Sequence, residues 1–136
     1  MEYASSSLAY PTKNIMYMPK YFTEIEFNRC TPSCSMKDMD NDFILLLDKL
    51  REKCGFPLVI SCAYRSKEWD LKKGRSGNSA HTRGKAVDIK YNSSSTAYAI
   101  VKNAMELGIK RIGVGKNFIH IDNDDSLPQN VLFNYY

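Results

Sequence analysis

The chain holds two histidines, and each precedes an aspartate on what reads as a β-strand. His81 opens the run His81-Thr82-Arg83-Gly84-Lys85-Ala86-Val87-Asp88, and His120 sits in Phe118-Ile119-His120-Ile121-Asp122. Side chains two apart on a strand share a face. Asp88 would share one with Ala86 and Lys90, leaving Val87 and Ile89 on the other. His120 would share one with Asp122, opposite Ile119 and Ile121. Each strand then offers an apolar face to a core and a polar face to a site. A carboxylate in so apolar a stretch is costly to bury alone, and a bound cation would offset that cost. His81, Asp88 and His120 as ligands would leave a fourth tetrahedral position for water, the arrangement of catalytic zinc. One such ion lowers the pKa of its water and polarises a carbonyl, which suits amide hydrolysis. The residues alone leave a plainer alternative open, in which each histidine hydrogen-bonds its neighbouring carboxylate.

Periodicity and punctuation suggest the elements that would place these residues. Residues 1–20, rich in Ser, Tyr and Pro, read as an irregular arm, and 21–136 as a single domain. Phe22 and Ile25 suggest a short helical turn, and 28–37 reads as a loop. Asp40 is an N-cap for a helix carrying Phe43, Leu46, Leu47 and Leu50, with Gly55 as its stop. Leu58 to Tyr64 reads as a strand, Ser66 caps a short helix with Trp69 and Leu71, and 74–80 is a turn-rich loop. A second strand spans about 84–91, and Ser93 to Ser95 cap a helix that runs to Gly108. Two short strands, 111–115 and 118–123, close into a hairpin over Lys116-Asn117 and end the domain. The order predicts an α+β domain with a small, mainly antiparallel sheet and helices packed on it.

At these residues the chain resembles the M15 metallopeptidases, the D-alanyl-D-alanine carboxypeptidase and endolysin group that shares its fold with the hedgehog signalling domain. The family pattern S-x-H-x-x-G-x-A-x-D is filled at every fixed position by Ser79, His81, Gly84, Ala86 and Asp88. His120 and Asp122 match the later His-x-Asp, Ser61 to Ser66 matches an S-G-Y-R-S element, and Phe22, Glu26 and Phe27 echo an opening F-x-x-x-E-F. The likeness covers about 21–123. It implies a hedgehog-like fold, one zinc ion on His81, Asp88 and His120, and a peptidoglycan stem peptide as substrate. It also implies that Arg65 contacts the substrate carbonyl or the oxyanion formed from it, a role that suits a fixed positive charge. Ser79 would bind substrate or shape its loop. Tyr64 joins the substrate-binding candidates, with core packing as its alternative. In several members an acid three positions before the last histidine is the general base, but here that position is Asn117. Asp122 is then the local candidate for the base, or else a residue that orients a ligand. Glu68 is a more distant possibility, and Asp124 and Asp125 read as exposed loop charges.

Composition narrows the partners. With a net charge of +4 and no basic run interleaved with aromatics, nucleic acid is not expected. The charge does suit an anionic wall polymer. No apolar run approaches the ~18 residues of a membrane helix, and the start lacks a signal-peptide pattern. The expectation is a monomer made in a cytoplasm, which would reach a cell wall by phage-type lysis or carried in a virion. The four cysteines, Cys30, Cys34, Cys54 and Cys62, are then expected as free thiols, Cys62 as a small apolar group in its strand. Two other functions compete with the peptidase: a non-catalytic binding or structural module on the same fold, favoured by Asn117, and a cysteine-based zinc module.

Overall fold

The computed structural model describes residues 17–28 and 34–135. Its centre is a five-stranded sheet in the order β1-β2-β4-β3-β5, with β1 at Val59–Cys62, β2 at Ala86–Lys90, β3 at Arg111–Val114, β4 at Phe118–Asp122 and β5 at Val131–Asn134. All neighbours are antiparallel except β3 and β5, which are parallel. This is the α+β class read from the sequence, with one more strand than the hairpin that was expected to end the domain.

The main helices form where capping and periodicity coincide. In α1, Asn41–Cys54, the Asp40 carboxylate accepts from the Phe43 amide at 3.0 Å. Phe43, Leu47 and Leu50 then recur on one stripe and are fully buried. Each such side chain contributes about 2 kcal/mol through burial. Ser93 caps α3, Ser94–Glu106, by accepting from the Thr96 amide at 3.2 Å. The short α2, Lys67–Lys72, is capped by Ser66 through the Trp69 amide.

Alternation then sorts the two faces of the sheet. Ile60, Val87, Ile89, Ile112, Ile119 and Ile121 join α1 and α3 in one core. The opposite face carries Asp88, His120 and Asp122, so the two-residue period divides packing from chemistry. The expected arm over 1–20 is described only from Tyr17. There Tyr17, Lys20 and Tyr21 donate to the buried Asp48 carboxylate of α1 at 2.9, 2.6 and 3.0 Å.

Candidate active site

Strand register gathers the site before any loop contributes. Cys62 pairs with Asp88, Asp88 with His120, His120 with Gly113, and Gly113 with Phe133. One row of residues thus crosses all five strands. His81 joins it from a 3-10 turn at Ala80–Arg83, and its ring packs edge-on to His120 with centroids 5.1 Å apart.

The partners of each ring fix where its proton sits. His81 Nδ1 is 2.6 Å from the Ala63 carbonyl oxygen, which can only accept, so Nδ1 carries a proton and Nε2 is the position left to face a ligand or cation. His120 Nε2 is 2.6 Å from Asp122 Oδ2, which leaves His120 Nδ1 as the free position. Both free nitrogens face one oxygen: His81 Nε2 is 3.3 Å and His120 Nδ1 3.1 Å from Asp88 Oδ1. Three electron-pair donors that converge in this way need a cation among them, either a proton or a metal ion. The donor set, two imidazoles and a carboxylate, is one that zinc accepts.

The electrostatics fit a cation-seeking site. Burial opposes charge on Asp88, but the bonds and positive charge from His120 and His81 outweigh it and hold the carboxyl below the usual carboxylate range. Burial likewise opposes an imidazolium at His120, yet Asp122 and Asp88 hold its pKa above the ordinary histidine value. Asp122 is itself fully buried and fully engaged. Besides His120 it accepts from Arg111 Nε at 2.8 Å and from the Asp124 amide at 3.1 Å.

A family model described as Peptidase M15 matches residues 20–122. The chain belongs to that family. The crystal structure of the Serratia marcescens L-Ala D-Glu endopeptidase ChiX is similar at 19% identity over 65% of this chain and 83% of that chain, with a TM-score of 0.48. No curated protein sequence matches the chain.

The glycine of the M15 motif has a visible cause. Gly84 has φ 71°, and a Cβ there would overlap the Asp38 carbonyl oxygen. Its own carbonyl accepts from the Asp40 amide at 2.8 Å. The turn bearing His81 is thereby clamped to the segment that starts α1, and only glycine fits the clamp. Ala86 is fully buried on β2.

Arg65 is held beside the cluster by a residue the sequence reading passed over. Its Nε donates to Asp70 Oδ1 at 2.7 Å and its Nη1 to Cys62 Sγ at 3.4 Å. Asp70 is fully buried, and Ser79 Oγ also donates to it, at 3.4 Å. Ser79 is therefore turned toward Asp70. Glu68, considered as an acid near Arg65, is exposed, and Asp70 occupies the inner face of α2 instead.

Tyr64 is half-buried. Its ring packs against the core. Burial, Asp38 and Glu68 together push its hydroxyl pKa up. Asn117 is exposed at the hairpin turn, where its carbonyl accepts from the Tyr91 amide. Trp69 is half-buried, with the Lys73 ammonium over its ring, as a packing residue would be.

Two expectations are overturned. Asp124 is not an exposed loop charge: it is buried and accepts from Arg83 Nε at 2.6 Å, tying the His81 turn to the end of β4. Cys62 is not a free thiol but disulfide-bonded, and Cys34 and Cys54 are free. Cys62 Sγ lies within 4.8 Å of His81 and Asp88 donor atoms, but a disulfide sulfur carries no thiolate charge and makes a poor ligand. Cys34 donates to the Phe27 carbonyl, and Cys54 meets Asn103. The described cysteines therefore do not form a four-sulfur zinc site.

The sequence reading also missed Arg111, Phe133 and Tyr135. Arg111 could have been found, since a hairpin that turns at Lys116-Asn117 sets Arg111 opposite Asp122. Phe133 and Tyr135 had no such signal, because they reach the site through a parallel strand after a loop. Their rings lie 5.6 and 6.3 Å from that of His120.

Proposed function

We propose that the protein is a zinc-dependent peptidase that hydrolyses an amide bond in bacterial peptidoglycan stem peptides. The observation that carries this reading is the convergence of His81 Nε2 and His120 Nδ1 on one oxygen of Asp88. Membership of the M15 family supports the hydrolytic reaction, and the filled S-x-H-x-x-G-x-A-x-D motif supports the wall peptide as substrate.

Bound there, zinc would supply a Lewis acid and a water acidic enough to attack at neutral pH. The protein's own part is positioning. Ala63 and Asp122 each select one tautomer, so both rings present lone pairs without rearrangement. Asp122, with both oxygens engaged, acts on His120 and not as the proton acceptor. Arg65 is 13% exposed at its side chain, and its Nη2 has no partner among the described residues. That N–H group is the one offered to a substrate carbonyl, whose oxygen gains negative charge as the amide is attacked.

Zinc-loaded protein should release new amino groups from purified cell walls, and His81→Ala should release none. Free D-alanine among the products would mark a carboxypeptidase, and longer fragments an endopeptidase. Equal release by His81→Ala would overturn the mechanism. One observation favours a non-catalytic, zinc-bearing module instead: Asn117 replaces the usual acid, and Asp122 has no oxygen to spare. Stoichiometric zinc without hydrolysis across a panel of stem peptides would select that reading.

A further inference from the structure

The far edge of the sheet brings a tyrosine to the site. In β5, Phe133 stands on the row of Asp88 and His120, and Tyr135, two residues on, follows on the same face. The Tyr135 amide donates to the Val114 carbonyl at 3.1 Å, so the ladder extends one residue beyond the strand. Its ring packs against Phe118 at 5.0 Å and Phe133 at 5.6 Å, as well as His120. Two glycines make room for these rings. A Cβ at Gly113 would overlap the Phe133 ring, and one at Gly115 the Phe118 ring.

The ring is thus anchored, while the residue as a whole stays 51% exposed. Among the described residues its hydroxyl has no hydrogen-bond partner. Phenylalanine would pack equally well, so packing does not account for the hydroxyl. The charged groups whose fields reach it are Asp88, Arg65, Asp122 and Arg111, all members of the site, and a tyrosine hydroxyl can donate to a ligand. Arg65 lies toward the β1 edge and Tyr135 at the β5 edge, so the two flank the row from opposite sides.

We propose that Tyr135 is a substrate-contacting residue: its ring walls the cleft over His120, and its hydroxyl donates to a backbone carbonyl or carboxylate of the bound peptide, across from Arg65. This rests on the peptidase reading above. Tyr135→Phe should lower kcat/KM on a stem peptide about 10- to 100-fold, the size of one hydrogen bond to a charged or charge-developing group. Zinc content and melting temperature should stay at the wild-type values. The metal-free protein should bind the same peptide at least about fivefold more weakly by calorimetry when Tyr135 is Phe, and more weakly still when it is Ala. Unchanged kinetics and affinity in Tyr135→Phe, with wild type active, would overturn the assignment alone. Lost zinc or a lowered melting temperature would make the hydroxyl structural and also overturn it. A wild-type protein that neither cleaves nor binds stem peptides would take the peptidase reading down together with this one.

Discussion

Replacing Asp122 with Asn separates positioning from proton transfer. Three N–H groups converge on the two Asp122 oxygens: His120 Nε2 at 2.6 Å, Arg111 Nε at 2.8 Å and the Asp124 amide at 3.1 Å. Asparagine keeps the shape but has one accepting oxygen. If that oxygen faces His120, its NH2 meets Arg111 and the Asp124 amide, and two donors are stranded at about 1–3 kcal/mol each. If it faces Arg111, its NH2 meets His120 Nε2. The ring must then move its proton to Nδ1, where a metal would bind. The first outcome lowers the melting temperature by about 8–24 °C, and the second weakens zinc about 10- to 100-fold. The measurements are a zinc competition titration, a thermal melt and the hydrolysis rate across a zinc series. Activity should fall in step with zinc occupancy and recover in part at high zinc. Asp122→Asn that binds zinc as wild type does, melts normally and yet hydrolyses nothing would refute this reasoning and make Asp122 the base.

Gly84→Ala should destabilise the fold by about 2 kcal/mol or more, since a left-handed φ alone costs roughly 1–2 kcal/mol and its Cβ would overlap Asp38. Denaturant unfolding checks this, and the displaced His81 turn should weaken zinc as well. Arg65→Lys should leave zinc content unchanged but cut kcat about 10- to 100-fold in steady-state assays, because an ammonium cannot hold Asp70 and reach a carbonyl at once. Zinc affinity should rise with pH and level off only above the raised His120 value, because below it zinc must displace a proton. For the metal-free protein the sign reverses. The imidazolium is favoured in the folded state, so its contribution is full below the unfolded pKa and is lost as pH climbs through the folded one. Melting temperatures of metal-free protein across that range test the second statement.

Much of the site was legible because strand alternation is a strict rule. Val87, Ile89, Ile119 and Ile121 had to face a core, and that alone turned Asp88, His120 and Asp122 the other way. Caps at Asp40, Ser66 and Ser93 marked helices with equal clarity. What escaped depends on distance in sequence. Val131–Asn134 is built mostly of strand formers, but its parallel place beside β3 comes after a loop and has no local signal. Asp70 looks like any helix-surface acid until Arg65 and Ser79 fold over it. Asp124 reads as a loop charge until Arg83, 41 positions away, reaches it. The state of Cys62 escaped because pairing depends on tertiary proximity.

The ligand candidates differ in how they are carried. Asp88 and His120 sit on adjacent strands whose spacing is locked by ladder hydrogen bonds. His81 rides a four-residue turn tethered by Gly84 and Arg83. Metal exchange should therefore be a one-sided event, with any loosening confined to the turn while the strands stay put. Amide protons around Ala80–Arg83 would slow their exchange with solvent when zinc arrives, whereas those of β2 and β4 would hardly notice.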